Sequence, residues 1–299
     1  MSAPADSIQV VHAEPMLVGE CPLWHPAEQS LYWVDIGGFS VHRYHPASGA
    51  HRAWRFDSEP AALAIHADGG LVLAMRRGFA HLDTASGQLT TMLDAPYDQS
   101  KIRFNDGRVD PAGRFWVGTI YEPRDRQGAE MYCLEKGKLS LKWAGGMTVS
   151  NGLGFSPGGA TMYHADTTTH RIDAYRFDAA SGTVEQATRF QQFSTDKANN
   201  YGGRPDGAAV DSEGAYWCAM FEGERLLRFA PDGTLLREVK LPLRCPTMVA
   251  FGGSDLKTLY ITSASHGRSA EEREQYPLTG AVLALAVDVP GRTEPAYLP

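Results

Sequence analysis

The chain has 299 residues, 43% of them hydrophobic and 21% charged, with 31 glycines, 18 prolines and a formal net charge of -7. A negative balance without a basic tract excludes a nucleic-acid partner, and the longest apolar run near the end, Ala281 to Val287, is too short to cross a membrane. The opening residues Met1 to Asp6 lack a basic region followed by an apolar core, so the expectation is a soluble, unexported, cytoplasmic protein.

A chain of this length buries about three quarters of its extended surface, and many glycines and prolines favour tight turns over long helices. The first predicted strand is Ile8 to Val11. Six turns follow, beginning at His25, His66, Asp110, Ser156, Asp211 and Gly252, at spacings of 41, 44, 46, 55 and 41 residues. Behind each turn comes an aromatic and β-branched strand: Leu31–Val34, Leu71–Leu73, Phe115–Val117, Met162–His164, Tyr216–Cys218 and Leu259–Ile261. Third strands follow before further turns, as at Val41–Tyr44, Ile172–Phe177 and Leu226–Phe229. Each repeat therefore predicts a four-stranded antiparallel meander. Six of them form an all-β, six-bladed β-propeller over residues 1–299, with Ile8–Val11 expected to close the ring as the outer strand of the last blade. The single helix signal is Ser269-Ala270-Glu271-Glu272, an N-cap serine with glutamate three residues on, ending before Pro277.

Innermost strands of a propeller run beside the axis, so equivalent positions on them converge. Counting back five residues from each turn gives Glu20, Ala61, Asn105, Asn151, Asp206 and Thr247, five of which carry an oxygen or amide. Asparagine occurs only four times, and two of the four fall at this position. Two carboxylates and two amides meeting at one level suit a hard divalent cation, with Ca²⁺, Mg²⁺ or Mn²⁺ matching oxygen ligands best and Zn²⁺ or Fe²⁺ left open. The competing reading is a set of polar groups that hold buried water and pin the strands. Gly107, Gly152 and Gly207 let the backbone pass close to the axis.

Strand parity puts the loops at 37–38, 121–129, 196–204 and 263–279 on the ligand face. Arg103, two residues before Asn105, should point to the same side as Asn105, and Glu122 and Tyr121 approach from the loop above. Asp35 and Asp166 are read as turn caps. The four cysteines, Cys21, Cys133, Cys218 and Cys245, form no C-x-x-C pair and read as buried thiols. No histidine metal spacing, G-x-S-x-G elbow or phosphate loop is present.

The stretches Gly19-Glu20-Cys21-Pro22-Leu23-Trp24, Arg103-Phe104-Asn105-Asp106-Gly107, Ser150-Asn151-Gly152-Leu153 and Pro205-Asp206-Gly207 resemble the senescence-marker-protein/gluconolactonase (regucalcin-like) family, in particular its bacterial sugar-acid lactonases. The resemblance implies one divalent metal ion held by Glu20, Asn151 and Asp206, with Arg103 and Asn105 as substrate contacts. It also implies hydrolysis of a sugar lactone; the mechanism expected of such a site has the metal as Lewis acid and Asp206 as general base, with a metal-bound hydroxide as the rival nucleophile. Where some members carry a substrate-binding glutamate, this chain has Pro123 with Glu122 beside it. Two alternatives stay open: a non-catalytic calcium-binding or interaction propeller, and an aryl ester or phosphoester hydrolase on the same fold.

Overall fold

In the computed structural model, which describes residues 7–199 and 201–299, the turn sequences act as the sequence leads one to expect. Asp110 anchors its turn by accepting the backbone N–H groups of Ala112 and Arg114 at 2.8 and 3.1 Å, while Gly113 takes the left-handed conformation at φ +83°. Its second oxygen accepts from Trp116 Nε1 at 2.9 Å, tying the turn to the next strand. Asp211 repeats the device with Glu213, Ala215 and Trp217. The indoles of Trp116 and Trp217 are fully buried at matching places in their second strands, each packed towards the next blade, whereas Trp33, one register position further on, is buried on the other face of its sheet against the strands around Tyr260 and Val282.

Six four-stranded antiparallel sheets result. Their innermost strands are Gly19–His25, Pro60–Ile65, Ile102–Val109, Ser150–Phe155, Arg204–Val210 and Pro246–Gly252, which define blades one to six. Each innermost strand packs on those of the two neighbouring blades, and that of blade six packs on blade one, so the ring is complete. Ile8–His12 pairs with Val282–Ala286 and supplies the outer strand of blade six, as expected. The helix is Ala270–Gln275, capped by Ser269 Oγ accepting from the Glu272 N–H at 3.2 Å. Among the described residues no helix is long and apolar enough to cross a membrane. The N-terminal segment 1–6, and Asn200 in the expected 196–204 loop, lie outside the described residues.

One irregularity recurs in every blade. The ladder between first and second strands slips at Glu20/Leu23, Pro60/Ala62, Phe104/Gly107, Asn151/Gly154, Pro205/Ala208 and Pro246/Val249. A bulge bends its strand and re-aims the side chains beside it, and here it falls at the six converging positions. Gly152 sits in this bulge at φ +61°, where a Cβ would come within 2.4 Å of Tyr216 Oη.

On the opposite face the chain beyond blade six crosses the ring. The Ser212 N–H donates to Pro290 O, Gly291 donates to Leu256 O, Tyr297 donates to Ile65 O, and Leu298 donates to Gly113 O. Midway, Glu294 pairs with the buried Arg108, whose guanidinium also donates to Leu153 O and Ala208 O of blades four and five. The axis is thereby closed at that end.

Candidate active site and cation centre

A cavity of about 130 Å³ opens on the other face and is lined by Glu20, Asn105, Asn151, Asp206 and Thr247, all five of the polar axial positions. Arg103, Arg124, Arg204, Thr167, Thr168 and Phe221 complete much of its wall. Wider grooves on the outer blades, such as that lined by Ser156, Thr161, Tyr175 and Glu213, gather no such convergence of acids.

Glu20 and Asp206 are buried, at 8% and 7% exposure. Desolvation holds the Glu20 carboxyl well above the ordinary range, reinforced by the charges of Asp206 and Asp106; Asp206 is raised likewise, by burial first and Asp106 second. Asp106 is a third buried acid, missed by parity because it lies in the bulge. Burial pushes it up to about 6 despite Arg108, and its Oδ1 has no partner.

Asn151 is held on both sides. Its Nδ2 donates to Thr167 Oγ1 at 2.7 Å, and its Oδ1 accepts from Asn105 Nδ2 at 2.8 Å. Thr167 Oγ1 in turn donates to Pro205 O at 2.7 Å, fixing the amide beside Asp206. Asn105 also accepts from Arg103 Nη1 at 2.9 Å and donates to Ser150 O. Arg103 therefore points with Asn105, as two-residue spacing on a strand requires.

The donor set fits a divalent cation on a test internal to the molecule. Three guanidiniums share the cavity, yet no salt bridge among the described residues joins any of them to Glu20 or Asp206. Arg103 is engaged by Phe104 O, Asn105 and Glu122, and Arg204 approaches Glu222 at 3.6 Å. Two buried carboxylates left without a positive partner, beside an amide oxygen, are a costly arrangement that a hard cation relieves.

The two loop residues behave differently from the expectation. Glu122 does not line the cavity; it binds Arg76 at 2.8 Å and stands 3.5 Å from Arg103 Nε. Tyr121 is 5% exposed and packs with Ile102, Ala129, Met131 and Met147 in the core of blade three, because it is the last residue of a strand whose side chain there faces inward. Arg204 and Arg124 were missed. Arg204 precedes Asp206 by two residues, the same offset that singled out Arg103; Arg124 lies in a loop with φ +55° that no strand periodicity describes.

Asp35 caps its turn by accepting from the Leu17, Val18 and Gly38 N–H groups, and Asp166 accepts from those of Val149 and Thr168. All four cysteines are free and buried, and desolvation pushes the Cys21 thiol up to about 12, which removes it as a nucleophile. His12, His42 and His51, far apart in sequence, gather across the seam between blades six and one, with one ring nitrogen of each within 4.8 Å of the others.

Comparison with known proteins identifies the family and the fold. The model of the SMP-30/gluconolactonase/LRE-like region matches residues 18–265. A 6-deoxy-6-sulfogluconolactonase of Pseudomonas putida is 45% identical over 98% of this chain and 99% of its own. A pentonolactonase of Haloferax volcanii is 35% identical over 93% of each chain. The crystal structure of a calcium-binding protein, regucalcin, from Agrobacterium tumefaciens superposes with a TM-score of 0.93 at 30% identity, covering 99% of this chain and 98% of that one.

Proposed function

Because the chain belongs to the SMP-30/gluconolactonase/LRE-like family across residues 18–265, we propose that it hydrolyses a sugar lactone to the aldonic acid with the help of one divalent cation. The observation that carries this reading is the buried pair Glu20 and Asp206, set with Asn151 in a cavity where none of the three lining guanidiniums forms a salt bridge with either acid among the described residues. Relatives named as sulfogluconolactonase and pentonolactonase support the lactone as substrate.

Glu20, Asp206 and Asn151 Oδ1 would hold the cation, whether Ca²⁺, Zn²⁺, Mg²⁺, Mn²⁺ or Fe²⁺, which when bound supplies Lewis-acid polarisation of the lactone carbonyl. Asp206, at the cavity floor beside Asn151, takes a proton from the attacking water. The water oxygen bonds to the carbonyl carbon, the ring C–O bond breaks, and the ring oxygen leaves as a hydroxyl, taking the proton that Asp206 removed from the water. Arg103 and Asn105 donate to sugar hydroxyls. Glu122 acts by positioning Arg103, and Tyr121 acts only by packing beneath that loop. Free, buried thiols suit a reducing compartment, so the cytoplasm is the proposed place of action.

A cation-binding propeller without turnover is the second reading, favoured by the calcium-binding protein of the same fold. One experiment separates them: strip the protein with a chelator, restore single divalent ions, and follow acid release from pentono- and hexonolactones, an aryl ester and a phosphoester. Metal-dependent acid release from lactones is expected. Cation binding with no turnover of any substrate would favour the second reading, and preference for the aryl ester or phosphoester would replace the lactone.

A further inference from the structure

Two arginines on the cavity wall have donor capacity that the protein does not use. Arg204 Nε is buried without a hydrogen-bond partner, and the guanidinium lies 5.0 Å from the Phe221 ring centroid, which restricts its plane. Arg124, exposed in its loop, forms no salt bridge among the described residues, neither with the adjacent Asp125 nor with Glu122, which is taken by Arg76 at 2.8 Å.

The surroundings deepen the excess of positive charge. Glu222, which faces Arg204, is shared with Lys197 at 3.3 Å and Arg268 at 3.3 Å, so one carboxylate serves three cations. Arg268 and Arg244 both turn to Glu272 at 3.4 Å, and the Nε atoms of both are also buried without partners. A chain with a net charge of -7 thus presents a positive mouth. Such a field attracts anions and raises their local concentration.

A neutral sugar would leave Arg124 without a counter-charge and Arg204 with only its shared, 3.6 Å approach to Glu222, whereas an oxyanion meets two or more of their N–H groups at once. We infer that Arg124 and Arg204 form an anion subsite, and that the lactone taken by this chain carries a sulfonate, phosphate or carboxylate on the end of the sugar away from the ring ester. The inference rests on the lactonase reading of the cavity for the reaction, and on the arginines alone for the charge.

The test compares hexonolactones of one ring size bearing a 6-sulfonate, a 6-phosphate, a 6-carboxylate or a neutral 6-hydroxyl. At least one anionic lactone should exceed the neutral one in kcat/KM by about tenfold or more, the scale of one hydrogen bond to a charged group. That advantage should shrink with added salt, and the order among the three names the oxyanion. In the double variant Arg124→Gln, Arg204→Gln the ratio of anionic to neutral kcat/KM should fall to about one. A neutral lactone turned over as well as every anionic one, or a ratio that survives both substitutions, would overturn the subsite. Absence of turnover with every lactone would instead sink the lactonase reading. Calorimetry with glucose 6-phosphate against glucose then decides the subsite alone: tighter binding of the phosphate, lost in the double variant, supports it, and equal binding overturns it.

Discussion

The axial carboxylates carry the sharpest expectations. Asp206→Asn should retain the fold and lower kcat by about 10²–10⁴, the range for loss of a general base, measured with metal content assayed in the same sample. Near-normal turnover with metal bound would sink the base role. Arg103→Ala should raise KM by about 10- to 100-fold with a smaller change in kcat, because its hydrogen bonds to hydroxyls form in the ground state. An unchanged KM would place Arg103 in a structural role. The sequence disclosed Glu20, Asn105, Asn151, Asp206 and Thr247 because turns of repeated chemistry set a common register, and the five line one cavity. It did not disclose that Tyr121 packs into the blade core, since a strand's last residue obeys the strand's alternation before it obeys the loop. Arg124 was illegible for the opposite reason: its direction depends on a left-handed backbone step.

Bulges and blade seams govern the next scale. Gly152→Ala meets Tyr216 Oη at 2.4 Å and Asp206 O at 3.1 Å in a left-handed conformation, so it should cost roughly 2 kcal/mol or more in urea unfolding and also disturb Asp206. Gly146, equally left-handed at φ +73° but with nothing near its Cβ, should cost about 1 kcal/mol on change to Ala. Equal losses would show that strain, not crowding, decides. At the seam of blades six and one, burial, aided by His51 and His12, pushes the His42 ring down to about 3. Its folded pKa lies below the unfolded value near 6.5, so the unfolded chain binds more protons between those limits. Stability should therefore decline as pH falls from about 6.5 toward 3, by up to about 1.4 kcal/mol per unit from this ring. His42→Gln should flatten that part of a Tm-against-pH curve; an unaltered slope would assign the acid sensitivity elsewhere. The bulges were foreshadowed by the glycines near the axis, whereas the histidine cluster joins residues too distant for any spacing rule.

Ring closure decides the whole molecule. Removing Ile8–His12 leaves Val282–Ala286 as an open edge and exposes the Trp33 cluster, so the shortened chain should melt many degrees lower or fail to fold, as circular dichroism would show. A melting temperature within error of the full chain would mean the seam is dispensable. Closure by an N-terminal strand was legible because the repeat counted six units and left one strand over. The crossing by residues 290–298 was not, for beyond the Pro290-Gly291 turn it has no alternation and is fixed by scattered hydrogen bonds and one ion pair to blades two, three, five and six. That crossing, with Arg108 at its centre, makes the cavity a cul-de-sac. Whatever enters must leave by the same door, so the ring-opened acid obstructs the next arrival and should inhibit competitively. A polymer could be trimmed there only from its tip, never threaded through.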